Sequence, residues 1–195
     1  GKEVQAYRLA GVENDHECST AEEVLDKLRA GLHIYVREGS GAKNLETLIK
    51  TMLDAGVCLD RCAFCTDDKH VEEIRKEGHI STCIRKAIAL GVPVAKAYKM
   101  GSYQAAEFYG LKNYGAIGAG YRADIVFLDD LEQVRPLDVM KDGRILTEED
   151  YAKDYSVPVP DELLHTVHVG EVTKEKIRLS CDGKTDVERQ HINVE

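Results

Sequence analysis

The sequence predicts an α/β fold, with parallel β/α units up to about Gly110 and antiparallel β-structure after it. Two observations support this prediction. Short apolar runs alternate with amphipathic helical stretches in the first part, and short connections between them are typical of parallel β/α units. In the second part, Asp142-Gly143 separates two strand-like runs, and Asp-Gly is a residue pair that two-residue hairpin turns favour.

Capping signals and hydrophobic periodicity define the elements before Gly110. Thr20, with Glu23 three positions later, predicts a capping box at the start of a helix that ends at Gly31. Residues 32–36 and 62–65 are short apolar runs and are predicted strands, the second one buried on both faces. The other elements predicted here are helices over 4–10, 44–55, 70–77, 80–90, 93–100 and 102–109.

Strand patterns dominate the chain after Gly110. Residues 123–128, which are apolar apart from Asp124, predict a buried strand, and residues 139–146 predict the hairpin. A helix is expected over 148–153, before two helix-breaking prolines. Weak strands are expected near 166–170 and 176–180, and residues 192–195 are also strand-like.

Composition and charge argue against several classes of function. The chain has 26 Lys and Arg against 35 Asp and Glu, a net charge of −9, and no basic cluster suited to nucleic-acid phosphates. It has no run approaching the roughly 20 apolar residues that a transmembrane helix needs. Six cysteines without a preceding signal peptide favour reduced thiols in the cytoplasm. Since the first residue is Gly1 rather than methionine, we expect an internal piece of a longer protein.

Ionisable residues follow three of the apolar segments. Asp15-His16-Glu17 comes first, Arg37-Glu38-Gly39-Ser40 follows the strand at 32–36, and Thr66-Asp67-Asp68 follows the strand at 62–65. In a parallel β/α barrel the carboxyl ends of the strands lie on one face. We therefore expect the three clusters to converge on one pocket.

His16 and Asp67 are the residues we select from these clusters as metal ligands. A neutral imidazole and a carboxylate together suit Zn, Mn or Fe, and such an ion activates water for hydrolysis. A catalytic metal usually has three or more protein ligands, so further ligands must come from elsewhere.

Two other kinds of site are disfavoured by their spacing. The cysteines at 58, 62 and 65 could form a structural zinc knuckle with a later histidine or cysteine. Only Cys62 and Cys65 have the Cys-x-x-Cys spacing, however, and they lie inside an apolar run. The glycines at 115, 118 and 120 lack the strand-to-helix passage of a phosphate-binding loop.

Several motifs resemble the adenine deaminase family of the amidohydrolase superfamily, in the same order along the chain. The resemblance covers about residues 1–150. The motifs that carry it are Asn14-Asp15-His16-Glu17-Cys18-Ser19-Thr20, Arg37-Glu38-Gly39-Ser40-Gly41-Ala42-Lys43-Asn44-Leu45, Phe64-Cys65-Thr66-Asp67-Asp68-Lys69-His70, Glu77-Gly78-His79-Ile80, Tyr114-Gly115-Ala116-Ile117, Gly120-Tyr121-Arg122-Ala123-Asp124-Ile125-Val126 and Asp142-Gly143-Arg144-Ile145.

This resemblance implies a partial metal-dependent hydrolase (β/α) barrel, made of its later strands, followed by a β-sandwich segment. Residues 1–110 would form the second half of the barrel, 111–150 the sandwich strands and 151–195 the start of a C-terminal α+β segment. The implied activity is hydrolytic deamination of adenine to hypoxanthine and ammonia. The full-length protein is expected to be a cytoplasmic homo-oligomer that binds neither nucleic acid nor membrane.

The resemblance also implies roles for individual residues. His16 would be the metal ligand after the sixth barrel strand, and Asp67 the carboxylate after the eighth. Asp67 would bind the metal and handle the proton of the attacking water. The metal would be Mn²⁺ or Fe²⁺, with Zn²⁺ as an alternative. The residues expected to contact the purine from the same face are Glu17, Arg37, Glu38 and Ser40.

The family's other ligands would lie before Gly1. They are a His-x-His pair after the first strand, an acidic residue after the fourth and a histidine after the fifth. We therefore expect the 195-residue chain to have no deaminase activity by itself. Two alternatives stay open, namely another amidohydrolase that acts on a cyclic amide and a metal-free scaffold or assembly module.

Overall fold

The structure is a computed structural model that describes residues 1–153 and 156–177. The chain divides into two compact units, one from Gly1 to Ala152 and one that begins at Lys153. The first unit contains two three-stranded sheets, one parallel and one antiparallel. Within the two described ranges, no helix is long and apolar enough to cross a membrane.

The parallel sheet consists of β1 (Asn14–Asp15), β2 (His33–Arg37) and β3 (Cys62–Cys65), in that spatial order. In the register of its second pair of strands, Ile34 lies opposite Cys62 and Arg37 opposite Cys65. Each strand is joined to the next through a helix, as parallel pairing requires. The predicted parallel β/α units are confirmed.

Seven helices lie before Gly110, each within two residues of its predicted position. The first precedes the parallel sheet, the next two connect its strands, and the last four follow its third strand. They are α1 (Lys2–Leu9), α2 (Ala21–Arg29), α3 (Leu45–Asp54), α4 (Val71–Glu77), α5 (Ile80–Ala89), α6 (Val94–Gly101) and α7 (Tyr103–Phe108). A 3-10 turn at Leu59–Arg61 leads into β3.

The start of α2 has the predicted capping box. The Thr20 hydroxyl accepts a hydrogen bond from the Glu23 backbone N–H at 3.3 Å, and the Glu23 carboxylate accepts one from the Thr20 N–H at 3.0 Å. Two N–H groups that the helix leaves unpaired are thereby satisfied, which fixes where the helix begins.

The core lies between one face of the parallel sheet and the helices. Ile34 and Val36 are fully buried on β2, and alternate residues of a strand point to the same face. Helices α3, α5 and α6 supply the other side of this core. Their fully buried side chains are Leu45, Leu48, Ile49, Met52, Cys83, Ala87, Ala97 and Met100.

The antiparallel sheet consists of β4 (Ile125–Leu128), β5 (Pro136–Lys141) and β6 (Arg144–Ile145). The Asp142-Gly143 turn is confirmed, with φ values of 50° and 79° that an Asp-Gly pair tolerates. The prediction of a buried strand is wrong, since Val126 is 53% exposed and Phe127 40% exposed. An apolar run predicts a strand, but burial also requires another element to cover it.

The chain after the hairpin is only partly as predicted. Helix α8 (Glu148–Ala152) is confirmed, and α9 (Asp161–Leu164) was not expected from the sequence. The strand predicted near 166–170 is wrong, because its apolar side chains are exposed and the described part of the chain offers it no pairing strand. Residues 174–177 form a turn, and the remaining strand-like residues, 178–180 and 192–195, lie outside the described residues.

Candidate active site

The candidate site lies at the carboxyl edge of the parallel sheet. His16 and Glu17 follow β1, Arg37 is the last residue of β2, and Asp67 follows β3 after one residue. Because the three strands are parallel, these positions share one edge of the sheet. Arg37 thereby contacts Glu17 and Asp67, which are 20 and 30 positions away in the sequence.

Arg37 joins two of these segments through its guanidinium group. Nη1 donates to Glu17 Oε1 at 3.1 Å and to Asp67 Oδ2 at 2.8 Å, and Nη2 lies 2.9 Å from Glu17 Oε2. Burial opposes the charge, but the two carboxylates raise the pKa of Arg37 above its ordinary value. Arg37 therefore remains cationic and pairs with both acids.

His16 extends this arrangement by one further contact. Its Nε2 atom lies 3.3 Å from Glu17 Oε1. We call His16, Glu17, Arg37 and Asp67 the rim cluster. Arg37 is only 13% exposed, whereas the side chains of the other three are 44% to 60% exposed, so a ligand at this edge can reach them.

Asp67 has an unusual backbone conformation. Its φ angle is 46°, in the left-handed region that few residues other than glycine occupy. Aspartate tolerates this region better than most residues, but the conformation still carries strain. Strained positions concentrate at functional sites, so the geometry of Asp67 supports its inclusion in the candidate site.

Glu38 and Ser40, also expected to face the purine, have partners away from the rim cluster. Glu38 is 4% exposed, accepts from Lys86 Nζ at 2.5 Å and accepts from the Leu45 N–H at 3.4 Å. Ser40 donates to Glu73 at 2.7 Å and accepts from the His70 N–H at 2.9 Å. Glu38 thus contacts α5 and the start of α3, and Ser40 links the segment after β2 to the segment after β3.

Asp15, the first residue of its polar cluster, points into the protein. Its carboxylate accepts from Lys27 Nζ at 2.9 Å and from the Cys18 thiol at 3.0 Å. Although burial acts in the opposite direction, these hydrogen bonds lower the pKa of Asp15. Burial raises the pKa of the Cys18 thiol to about 12, so this cysteine is no nucleophile at neutral pH.

One polar contact near the site was missed by the sequence analysis. Thr66, directly before Asp67, is 7% exposed, and its Oγ1 lies 2.7 Å from His79 Nε2. The contact ties the segment after β3 to the start of α5. The sequence signal was present, since Gly78-His79 is one of the quoted motifs, but a lone histidine beside a charged helix indicates no particular partner.

Comparison with known proteins assigns the family. Residues 1–146 match the sequence profile of the Amidohydrolase family. The chain belongs to this family. Among solved structures, it is similar to the β-aspartyl dipeptidase of Fervidobacterium islandicum AW-1 in complex with a β-Asp-Leu dipeptide. The TM-score is 0.53 at 19% identity, over 71% of this chain and 39% of that one, and at this identity the similarity concerns the fold alone.

Curated relatives narrow the similarity within the amidohydrolases. Over 92% of this chain, the sequence is 40% identical to an adenine deaminase of Desulfitobacterium hafniense. Over 96% of this chain, it is 41% identical to one of Clostridium acetobutylicum. An adenine deaminase of Gluconobacter oxydans is 44% identical over 76% of the chain. The predicted resemblance is confirmed. The chain spans about a third of the length of the first two relatives, 31% and 32%.

Amidohydrolases generally use a divalent metal, and the rim cluster has donor atoms of the kind that such an ion binds. The imidazole of His16 and the carboxylate of Asp67 are suitable donor types at one edge of the sheet. Their number is insufficient, because among residues 1–153 and 156–177 no group of three or more His, Cys, Asp or Glu side chains could hold an ion. The donor chemistry fits, and completing the site requires ligands from outside these ranges.

Proposed function

We propose that this chain forms part of an adenine deaminase, an enzyme that hydrolyses adenine to hypoxanthine and ammonia. In this proposal the parallel sheet belongs to the later strands of a metal-dependent hydrolase (β/α) barrel, and the antiparallel sheet to a β-sandwich. The observation that carries the proposal is the rim cluster, which gathers a histidine and a carboxylate at the carboxyl edge of parallel strands. The identity of about 40% to adenine deaminases supports the choice of substrate.

His16 and Asp67 would hold the metal, which we propose to be Mn²⁺ or Fe²⁺, with Zn²⁺ as the alternative. When bound, such an ion supplies Lewis-acid activation of water. Asp67 takes the proton of the attacking water, whose oxygen forms a bond to C6 of the purine. Asp67 then passes this proton to the amino group, the C6–N bond breaks, and ammonia leaves. The balance is adenine plus water giving hypoxanthine plus ammonia.

Glu17 is the rim residue best placed to contact the purine. It is the most exposed of the four, and a carboxylate accepts hydrogen bonds from purine N–H groups. Glu38 and Ser40, proposed from the sequence as further purine contacts, would reach it only after leaving their present partners. The same proposal includes a cytoplasmic, homo-oligomeric enzyme, and free thiols at the five described cysteines are compatible with that location.

Ammonia release from adenine tests the proposal. The deaminase polypeptide that contains these residues should release ammonia and hypoxanthine. His16→Ala and Asp67→Asn should each reduce the rate by about 10³-fold or more, since each removes a metal ligand. His168→Ala and Asp54→Asn, exposed residues outside the cluster, are the matched controls. Loss of activity in the controls, or its retention in the two site variants, would contradict the assignment.

Further measurements separate this function from the two alternatives. Turnover of dihydroorotate or an N-acetyl sugar in place of adenine would favour a different amidohydrolase. Absence of a stoichiometric divalent ion would favour a metal-free scaffold. We further propose that the 195-residue chain alone, supplied with Mn²⁺, releases no ammonia from adenine, because it presents two of the ligands that a catalytic metal needs.

A further inference from the structure

We propose that Arg37 is a positioning residue, whose guanidinium fixes the carboxylates of Glu17 and Asp67 relative to each other, and that it makes no contact with the purine. This inference rests on the proposed deaminase function and changes the role that the sequence suggested for Arg37. It concerns the three charged members of the rim cluster.

The donors of Arg37 are largely committed to the two carboxylates. An arginine has five N–H donors. Three of them serve the contacts from Nη1 to Glu17 and Asp67 and from Nη2 to Glu17, at 2.8 to 3.1 Å. Nε is buried and has no hydrogen-bond partner in the described part of the chain. One N–H of Nη2 remains, on a side chain that is 13% exposed. A purine would find little of this guanidinium to bind.

The backbone of Arg37 is well anchored. Arg37 ends the central strand, opposite Cys65 of β3, and its carbonyl accepts from the Asn44 N–H at 3.1 Å. The carboxylates that it holds lie instead on the segments after the two outer strands, and one of them belongs to a residue with strained backbone. A fixed cation between two less constrained anions determines where those anions lie.

Charge and shape both favour arginine at this position. Glu17 and Asp67 carry like charges at one edge of the sheet, and a cation between them offsets their repulsion. The planar guanidinium engages both oxygens of Glu17 with two nitrogens, a bidentate geometry that an ammonium group does not reproduce. Replacement by lysine should therefore keep the charge but lose much of the positioning.

A double-mutant cycle on the 195-residue chain tests the contact without any activity assay. Arg37→Gln, Asp67→Asn and the double variant are compared with the unchanged chain by urea unfolding. We expect Arg37 and Asp67 to be coupled by about 3- to 10-fold in the unfolding equilibrium constant. The same cycle between Arg29, whose side chain is 70% exposed, and Asp67 should show no coupling. Coupling below twofold for Arg37 would overturn the proposal.

Kinetics of the deaminase polypeptide that contains these residues distinguish positioning from substrate binding. Arg37→Gln should lower kcat by about 10²-fold with KM for adenine changed by less than about threefold, and Arg37→Lys should restore only part of kcat. Arg29→Gln is the control. A KM increase of tenfold or more in Arg37→Gln would identify a purine contact and overturn the proposal.

The two tests also separate this inference from the proposed function. If the unchanged enzyme releases no ammonia from adenine, the function is wrong, and the cycle still decides whether Arg37 positions the acids. If Arg37→Gln fails to fold, the cycle is run with Arg37→Lys and Glu17→Gln, which keep the charge or the shape of the replaced group. Coupling in that cycle supports the proposal, and its absence overturns it.

Discussion

The two sheets of the first unit both contain apolar strands, but these strands differ in burial. On β2, Ile34 and Val36 are fully buried, whereas on β4, Val126 is 53% and Phe127 40% exposed. Parallel strands are joined by helices that cover the sheet, while a hairpin joins its strands directly and brings no cover. The difference teaches that the elements lying over a strand, and not its own composition alone, decide whether it is buried.

The sheets also differ in what their charged residues do. At the antiparallel sheet, Asp124 pairs with Lys141 and accepts from the Asp142 N–H, so its carboxylate serves the hairpin beside it. At the parallel sheet, Arg37 links residues 20 and 30 positions away. Only the second arrangement brings separate segments of the described chain to one point, which is what a catalytic site requires.

The largest expected effect comes from a pair of side-chain truncations to alanine, one in each sheet. Ile34→Ala should lower the free energy of unfolding by about 3 to 4 kcal/mol, because it leaves a cavity in a closed core. Val126→Ala should cost less than about 1 kcal/mol, because much of that side chain is already in water. Urea denaturation of both variants measures the difference. Equal losses would show that the second sheet is as well covered as the first.

Local sequence signals predict most of the helices and strands, but they do not predict which of these elements are buried. Thr20 with Glu23 predicts a helix start because both partners of the capping box lie within four residues. The exposure of Val126 depends on which elements lie over β4, and nothing local encodes that. The strand expected near 166–170 needed a pairing partner for the same reason.

The candidate site was predictable in part for a similar reason. Strand periodicity placed His16, Arg37 and Asp67 at one edge, since parallel strands end together. The partners of each side chain were not predictable, because Glu38 turns toward Lys86 while its neighbour Arg37 turns toward Glu17 and Asp67. Adjacent residues of an extended chain point in opposite directions, and the helix that receives Glu38 lies 48 positions further along.

A smaller effect is expected from the ion pair between the buried Glu38 and Lys86 of α5. Glu38→Gln should lower the free energy of unfolding by about 1 to 2 kcal/mol, because Lys86 loses a charged partner and an uncharged amide replaces a buried carboxylate. The hydrogen bond from Lys86 to Glu38 raises the pKa of this lysine, which agrees with a favourable contact. Chemical denaturation at neutral pH is the measurement.

The control for that prediction is a second Glu–Lys pair in the same unit. Glu46 and Lys50 are 68% and 56% exposed on α3, and Glu46→Gln should cost less than about 0.5 kcal/mol. A loss as large as that of Glu38→Gln would mean that burial does not distinguish the two pairs.

A turn substitution examines the antiparallel sheet. Gly143→Ala should cost about 1 kcal/mol, since φ at this position is 79° and a Cβ is disfavoured there. Crowding adds little, because the nearest atom to an added Cβ is the Ala123 methyl at 4.0 Å. Asp142→Asn, at a φ of 50°, is the control and should cost less than about 0.5 kcal/mol, because asparagine tolerates this region and the ion pair lost with Arg122 is exposed. Thermal unfolding of both variants suffices, and a neutral Gly143→Ala would contradict the assigned turn.

The smallest expected effect concerns the capping box at the start of α2. Hydrogen bonds from the backbone N–H groups of Ser19 and Thr20 lower the pKa of Glu23 from 4.5 to about 2. A carboxylate with a lowered pKa stabilises the fold at pH values above its ordinary pKa, and this contribution is lost as the pH falls through the lowered pKa.

Glu23→Gln should therefore be less stable than the unchanged chain at pH 7, by less than the loss of about 1 kcal/mol for a whole N-cap. The difference should shrink between pH 4.5 and pH 2. Glu22→Gln, at the neighbouring acid outside the capping box, should show no comparable trend. A difference that stays constant over this pH range would mean that the Glu23 carboxylate is not the charged partner of these N–H groups.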